Sequence, residues 1–126
     1  MDVLMRFGFS IEDIKMMMDS NEEIDSIQDK NINGIIDVLR EVGCTDEEIK
    51  NIFLCNPFCL SIDYSQISNL IQKLESIGCN CLFLLLDSNP YLLNRSTDQI
   101  DEFYQKKIKE GFSEEEIIND INYHMI

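Results

Sequence analysis

Cys55, Cys59, Cys79 and Cys81 fall in two close pairs, and the chemistry such pairs could build is a four-thiolate zinc site. Three residues separate the first pair and one the second, which are not the spacings of the usual zinc modules. The remaining chemistry is sparse. His124, the only histidine, is the third residue from the end of the sequence and reads as a surface side chain. No nucleophile stands with a base and an orienting partner, and there is no phosphate-binding glycine loop and no zinc-hydrolase pattern. An enzyme is therefore not expected, and no catalytic, cofactor or metal residue is assigned. Lys106, Lys107 and Lys109 are the one basic cluster; they read as cations closing a helix before Gly111 or, alternatively, as contacts to phosphate. Tyr64, Tyr91, Tyr104 and Tyr123 could stack on bases, but Tyr104 falls at a core position and Tyr91 shares its position with Phe58, so packing accounts for both. Met17 and Met18 are likewise core positions beside Met16.

The elements that must position these residues are set by a repeat. Gly8, Gly43, Gly78 and Gly111 lie 35, 35 and 33 residues apart. Eleven, eight, seven and four residues before a glycine stand Ile32, Ile35, Ile36 and Leu39, then Ile67, Leu70, Ile71 and Leu74, then Ile100, Phe103, Tyr104 and Lys107. This is one apolar stripe of a helix, broken only by Lys107. Leu4 and Phe7 are the remnant of the same stripe before Gly8. Each glycine closes its helix, since glycine takes the left-handed conformation without a Cβ penalty.

A second helix follows. Ser10, Thr45 and Ser113 stand at its N-cap, with capping boxes expected at Thr45–Glu48 and Ser113–Glu116 and a weaker one at Ser10–Asp13. It stops at Asn21, Asn56 and Asn89; Asn56-Pro57 and Asn89-Pro90 are breaks because proline cannot continue a helix and disfavours it in the residue before. Short apolar turns follow, Phe58 to Leu60 and Tyr91 to Leu93. Asp63 and Ser96 open the next first helix, with Gln66 and Gln99 at the reciprocal capping positions. The third unit lacks two residues between Gly78 and Leu82, which predicts a shortened helix start with Asn80 as its cap. The same columns account for four cysteines as buried small hydrophobes: Cys44 and Cys79 match Phe9 and Phe112, Cys59 matches Leu92, and Cys55 matches Ser20 and Ser88. Cys81 has no column.

The 126 residues carry a formal net charge of −14. Much of it sits in helix first turns: Glu12 and Asp13, Asp46 to Glu48, and Glu114 to Glu116. Negative charge there favours the helix dipole, so capping explains these clusters ahead of a metal or catalytic carboxylate site. Five cysteines with no export signal point to a reduced, cytoplasmic setting. No stretch is long and apolar enough for a membrane span. The expected fold is all-α: a single helical-repeat domain over residues 1–126, with units at about 8–42, 43–77 and 78–110 and a final half-unit at 111–126, about three and a half helix-helix-turn repeats in an α-solenoid.

The unit, Gly-x-Ser/Thr-x-Glu-Glu-Ile, a short helix, Asn-Pro-x-x-Leu and a longer helix to the next glycine, resembles the repeats of mitochondrial transcription termination factor (mTERF) proteins. Gly43 to Ile49 through Pro57 to Leu60, and Pro90 to Leu93 through Gly111 to Ile117, carry the resemblance over nearly the whole chain. It implies a short right-handed superhelix whose concave face binds double-stranded nucleic acid through lysines and arginines. Gly43, Pro57, Leu60, Gly78, Pro90, Leu93 and Gly111 match the family as structural residues, and Gly8 opens the same series. This chain lacks the basic balance of such a face, so the first expectation is a protein partner, or self-association through the apolar C-terminal helix ending in Tyr123 to Ile126. The alternative is nucleic-acid binding in a transcription-related role. If Gly43 caps a helix at positive φ, Gly43→Ala will destabilise the fold by about 1 kcal/mol; an unchanged melting temperature places the helix boundary elsewhere.

Overall fold

The computed structural model describes residues 2–122, and every regular element among them is helical. Eight α-helices run in order: α1 (Asp2–Phe7), α2 (Ile11–Ser20), α3 (Asp29–Val42), α4 (Asp46–Cys55), α5 (Tyr64–Ser76), α6 (Leu82–Ser88), α7 (Thr97–Lys109) and α8 (Glu114–Asn122). Three short 3-10 turns, Glu22–Ser26, Pro57–Ser61 and Pro90–Asn94, follow α2, α4 and α6. A unit is thus a first helix, a second helix and a turn.

Like packs on like. α1, α3, α5 and α7 contact each other in succession, as do α2, α4 and α6, and so do the three turns. The chain is therefore three parallel rows crossing the units. The stripe residues fill the space between them: Leu4, Ile32, Ile35, Leu39, Ile67, Leu70, Leu74 and Ile100 have no exposure, and they join Ile49, Phe53, Leu60 and Ile117 in one core.

The helix ends follow from local chemistry. At the close of each first helix the N–H after the glycine bonds back five residues: Phe9 to Leu4 O, Cys44 to Leu39 O, Cys79 to Leu74 O and Phe112 to Lys107 O, at 3.0–3.1 Å. Gly43 has φ 111°, and its own N–H bonds Arg40 O at 3.0 Å, completing the left-handed closure. Three of these closures face a neighbouring unit; at Gly78 a Cβ would stand 3.0 Å from Ile118 Cδ1. One added to Gly8, Gly43 or Gly78 would face Lys50, Phe83 or Ile118, the same position on the second helix of the following unit. Reciprocal capping boxes form at Ser10/Asp13, Thr45/Glu48 and Ser96/Gln99, and Ser113 and Glu116 exchange the same two bonds. Gln66 does not take its expected part: Asp63 instead accepts from Ser65 N–H, a tighter turn that leaves Gln66 exposed.

The shortened third unit behaves differently from the expectation in one respect. α6 is a seven-residue helix, but its cap is Cys81, not Asn80. With two residues missing, the chain must turn sharply out of the Gly78 closure, and Cys81 takes φ 53°, ψ 47° with no side-chain capping bond. It is the one non-glycine residue at positive φ among those described.

Gly34 lies in mid-helix, outside the capping series. A Cβ there would stand 2.5 Å from Cγ of Tyr64, so its absence lets α5 bring that ring against α3. Helix propensity alone favours Gly34→Ala by about 1 kcal/mol, whereas overpacking costs about 1–3 kcal/mol. The variant will therefore have a lowered midpoint in urea, and adding Tyr64→Ala will remove part of the loss. A raised midpoint for Gly34→Ala in the otherwise unchanged chain would contradict the close approach.

Candidate interaction surfaces

The cysteine pairs do not form a site. Cys59 and Cys79 are buried, Cys55 and Cys81 are exposed, and no group of three or more metal-ligating side chains occurs among the described residues. Burial pushes the Cys59 thiol up to about 12 and raises Cys79 in the same direction; burial, with Glu48 and Asp87 nearby, pushes Cys44 up to about 11. These thiols are held protonated, as small apolar side chains. Cys55 departs from the expected burial. Its column is exposed throughout, with Ser20 and Ser88 also at the surface.

Tyr91 and Phe58 depart in the same way. They share a column, but it points outward, and the rings are 59% and 55% exposed. The turn is anchored by the residues beside them: Pro57, Cys59 and Leu60 are buried in one turn, and Pro90, Leu92 and Leu93 in the next. Tyr104 is half-buried against the core, and Met17 is buried with Met18 half-buried beside it. His124 and the tail Tyr123 to Ile126 lie outside the described residues. In the described part of α8, Ile117 and Ile121 are fully covered within the chain.

Lys107 has an answer for its place in a core column. Its Nζ lies 4.6 Å from the Phe112 ring centroid, 5.6 Å from that of Phe103 and 3.8 Å from Asp120 Oδ2. The ammonium is packed where the other units place leucine, held by two aromatic faces and a carboxylate. Lys106 and Lys109 remain exposed at the end of α7.

Charge divides by row. Helices α1, α3, α5 and α7 carry seven of the ten cations against eight carboxylates. Helices α2, α4, α6 and α8 carry eleven carboxylates against Lys15 and Lys50. On the first-helix row a groove of about 270 Å3 lies between α1 and α3, lined by Arg6, Asn33, Asp37 and Arg40. Arg40 reaches Asp46 at 3.1 Å and lies over Phe7, 5.5 Å from the ring centroid. Lys73 pairs with Asp101.

The turn row holds the polar groups that sequence reasoning missed. Asn21 and Asn56 are the buried polar residues, at 7% and 1% exposure. Asn21 Oδ1 accepts from Glu23 N–H within its own unit, while its Nδ2 donates to Pro57 O at 3.1 Å and Ser61 Oγ at 2.8 Å in the next. Asn56 repeats the reach one unit on, donating to Pro90 O and Asn94 Oδ1, each at 3.0 Å, and accepting from Asn94 Nδ2 at 3.2 Å. Asn31 adds bonds from α3 to Leu60 O and Ile62 O and accepts from Tyr64 N–H. The 35-residue recurrence of Asn21 and Asn56 was the available signal; a helix stop before proline accounted for the residue type and hid its second task.

The family model described as mTERF matches residues 1–123 of the chain. No curated protein and no solved structure matches it. Because a buried amide that loses its partner costs about 1–3 kcal/mol per stranded group, Asn56→Ala will lower unfolding stability by at least about 2 kcal/mol, with Cys55→Ala, its exposed neighbour, near zero. Equal, small effects of the two substitutions in chemical denaturation would refute a bridging role.

Proposed function

The chain belongs to the mTERF family, and we propose that it serves as a non-enzymatic helical-repeat binding module whose partner is a protein and not a phosphate backbone. The observation that carries this reading is that no row of the stack has a positive balance. The first helices hold seven cations against eight carboxylates, the second helices two against eleven, and the turns three carboxylates with no cation. Three of the seven cations on the first row already meet the chain's own carboxylates: Arg40 with Asp46, Lys73 with Asp101, and Lys107 with Asp120. Affinity for a duplex rests on cations that displace counterions from phosphates. A cation neutralised within the protein contributes little to that exchange, and a chain of net charge −14 repels the duplex before contact. We propose a reducing, cytoplasmic setting for such a module, a reading supported by the odd number of cysteines, five.

The family's nucleic-acid role is the second reading, and one observation favours it. Arg6, Lys30, Arg40, Lys73, Lys106, Lys107 and Lys109 all stand on the first-helix row, where Arg6 and Arg40 line the α1–α3 groove with Asn33. A duplex tracked along this row would cross Lys106 and Lys109 at its far end.

Titration of labelled duplex DNA and duplex RNA separates the two readings. The protein-partner reading predicts no saturable binding of either at about 50 mM salt. Saturable binding that weakens linearly in log-log salt plots, and that is reduced by Lys106→Glu with Lys109→Glu, would replace it with the second reading.

A further inference from the structure

Every column of the second helices that faces away from the core ought to be polar in a chain with 27% charged residues. One set is not. Counting from the helix-ending asparagines, positions −5, −1 and +2 are Met16, Ser20 and Glu23 in the first unit, Asn51, Cys55 and Phe58 in the second, and Leu84, Ser88 and Tyr91 in the third. All nine are exposed and only Glu23 is charged. Positions −5 and −1 are four apart on a helix and so share one face, and +2 stands exposed on the turn that follows. Successive second helices and successive turns are in contact, so the columns lie side by side across three units.

The large members stand well clear of the protein: Met16 at 64%, Phe58 at 55%, Leu84 at 57% and Tyr91 at 59% exposure. Between them Ser20, Cys55 and Ser88 are small, which gives the edge relief, knobs separated by hollows. One hollow of about 230 Å3 lies at Leu84, Leu85 and Ser88, beside Asn80 and Cys81. Two of the three columns are each apolar in two of their three units, Met16 and Leu84 at −5 and Phe58 and Tyr91 at +2, so these exposed side chains recur at equivalent places and are not scattered singly.

The occupant is selected by the margins. One turn before the stripe, on the same helix face, stand the exposed carboxylates Glu12 and Glu47; Asp19 and Asp87 flank it on the adjacent column. The three second helices that build the edge carry seven carboxylates against two lysines, of which Lys15 is exposed beside Met16 and Lys50 leans toward Gly8. An apolar ridge bordered by carboxylates complements an apolar face bordered by ammonium and guanidinium groups. We propose that the edge built from Met16, Phe58, Leu84 and Tyr91 is the docking surface for an amphipathic, lysine- and arginine-bordered helix of a partner protein. This rests on the protein-partner reading and gives it a surface and a chemistry.

The test uses the full chain and two fluorescein-labelled model helices of one hydrophobic pattern, one of leucine and lysine and one of leucine and glutamate, with anisotropy as the readout. The leucine–lysine helix is expected to bind saturably and the leucine–glutamate helix not at all. Phe58→Ser with Tyr91→Ser, both at exposed positions, will weaken binding about tenfold or more with an unchanged thermal melt. Absence of binding, equal binding of both helices, or binding that the double substitution leaves unchanged overturns the proposal, the last because it reveals attraction by charge alone. Sedimentation equilibrium of the chain by itself supplies the other occupant: a concentration-dependent mass abolished by Tyr91→Ser assigns the edge to a second copy and also overturns it. Failure in any of these ways, with duplex DNA and RNA still unbound, removes this surface and leaves the protein-partner reading in place.

Discussion

A buried carboxamide joins each turn to the next. Asparagine has one acceptor and a two-hydrogen donor on a short stem, and Asn21 divides them between units: its oxygen closes its own turn at Glu23 while its nitrogen serves Pro57 O and Ser61 Oγ beyond. Asn56 hands the pattern on to Pro90 O and Asn94. Sliding or tilting one unit on another would strand these groups away from water, so apolar contact supplies the adhesion while the amides fix the register. Asn31 reinforces the same joint from the first-helix row by holding both Leu60 O and Ile62 O, the end of the neighbouring turn. The surroundings of the glycine closures reflect this register as well. Gly8, Gly43 and Gly78 meet Lys50, Phe83 and Ile118 at one repeated position only because each unit is set on the last in the same way.

The rows so aligned give the molecule faces of different chemistry. The second helices begin with acidic first turns at α2, α4 and α8. That is good capping chemistry for each helix separately, yet stacking the units brings the charges into one row. The first helices have most of the cations but use Arg40, Lys73 and Lys107 to hold the protein together. Local stability and surface character are therefore set by the same side chains. The acidity of the chain follows in good part from how the helices start.

The helical class, the glycine closures, the proline-led turns and most caps were legible in the sequence because each is decided within a few residues: Thr45 with Glu48, Gly43 with Leu39, Pro57 after Asn56. Equivalence between units was legible too, but equivalence does not say which way a column points. Tyr91 and Phe58 are a true pair, as are Cys55 and Ser88, and both pairs face solvent where recurrence of apolar or small residues suggested packing. What depended on partners in another unit stayed hidden. Asn56 looked complete as a helix stop, Gly34 gave no reason for itself until Tyr64 was placed against it, and Lys107 looked like a flaw until Phe103, Phe112 and Asp120 surrounded it. The deletion after Gly78 was located correctly, but the backbone turned one residue later than the polar side chain that seemed suited to cap it.

Hydrogen exchange of the side-chain amides addresses the joint between units most directly. With the asparagine carboxamides resolved by 15N-edited NMR, the Nδ2 protons of Asn21 and Asn56 should exchange far more slowly than that of exposed Asn51, and only through openings that also release backbone amides of α4 and the Pro57–Ser61 turn. Exchange of Asn21 and Asn56 at the rate of Asn51 would mean that the carboxamides stand open to water, and that the register is held by something else.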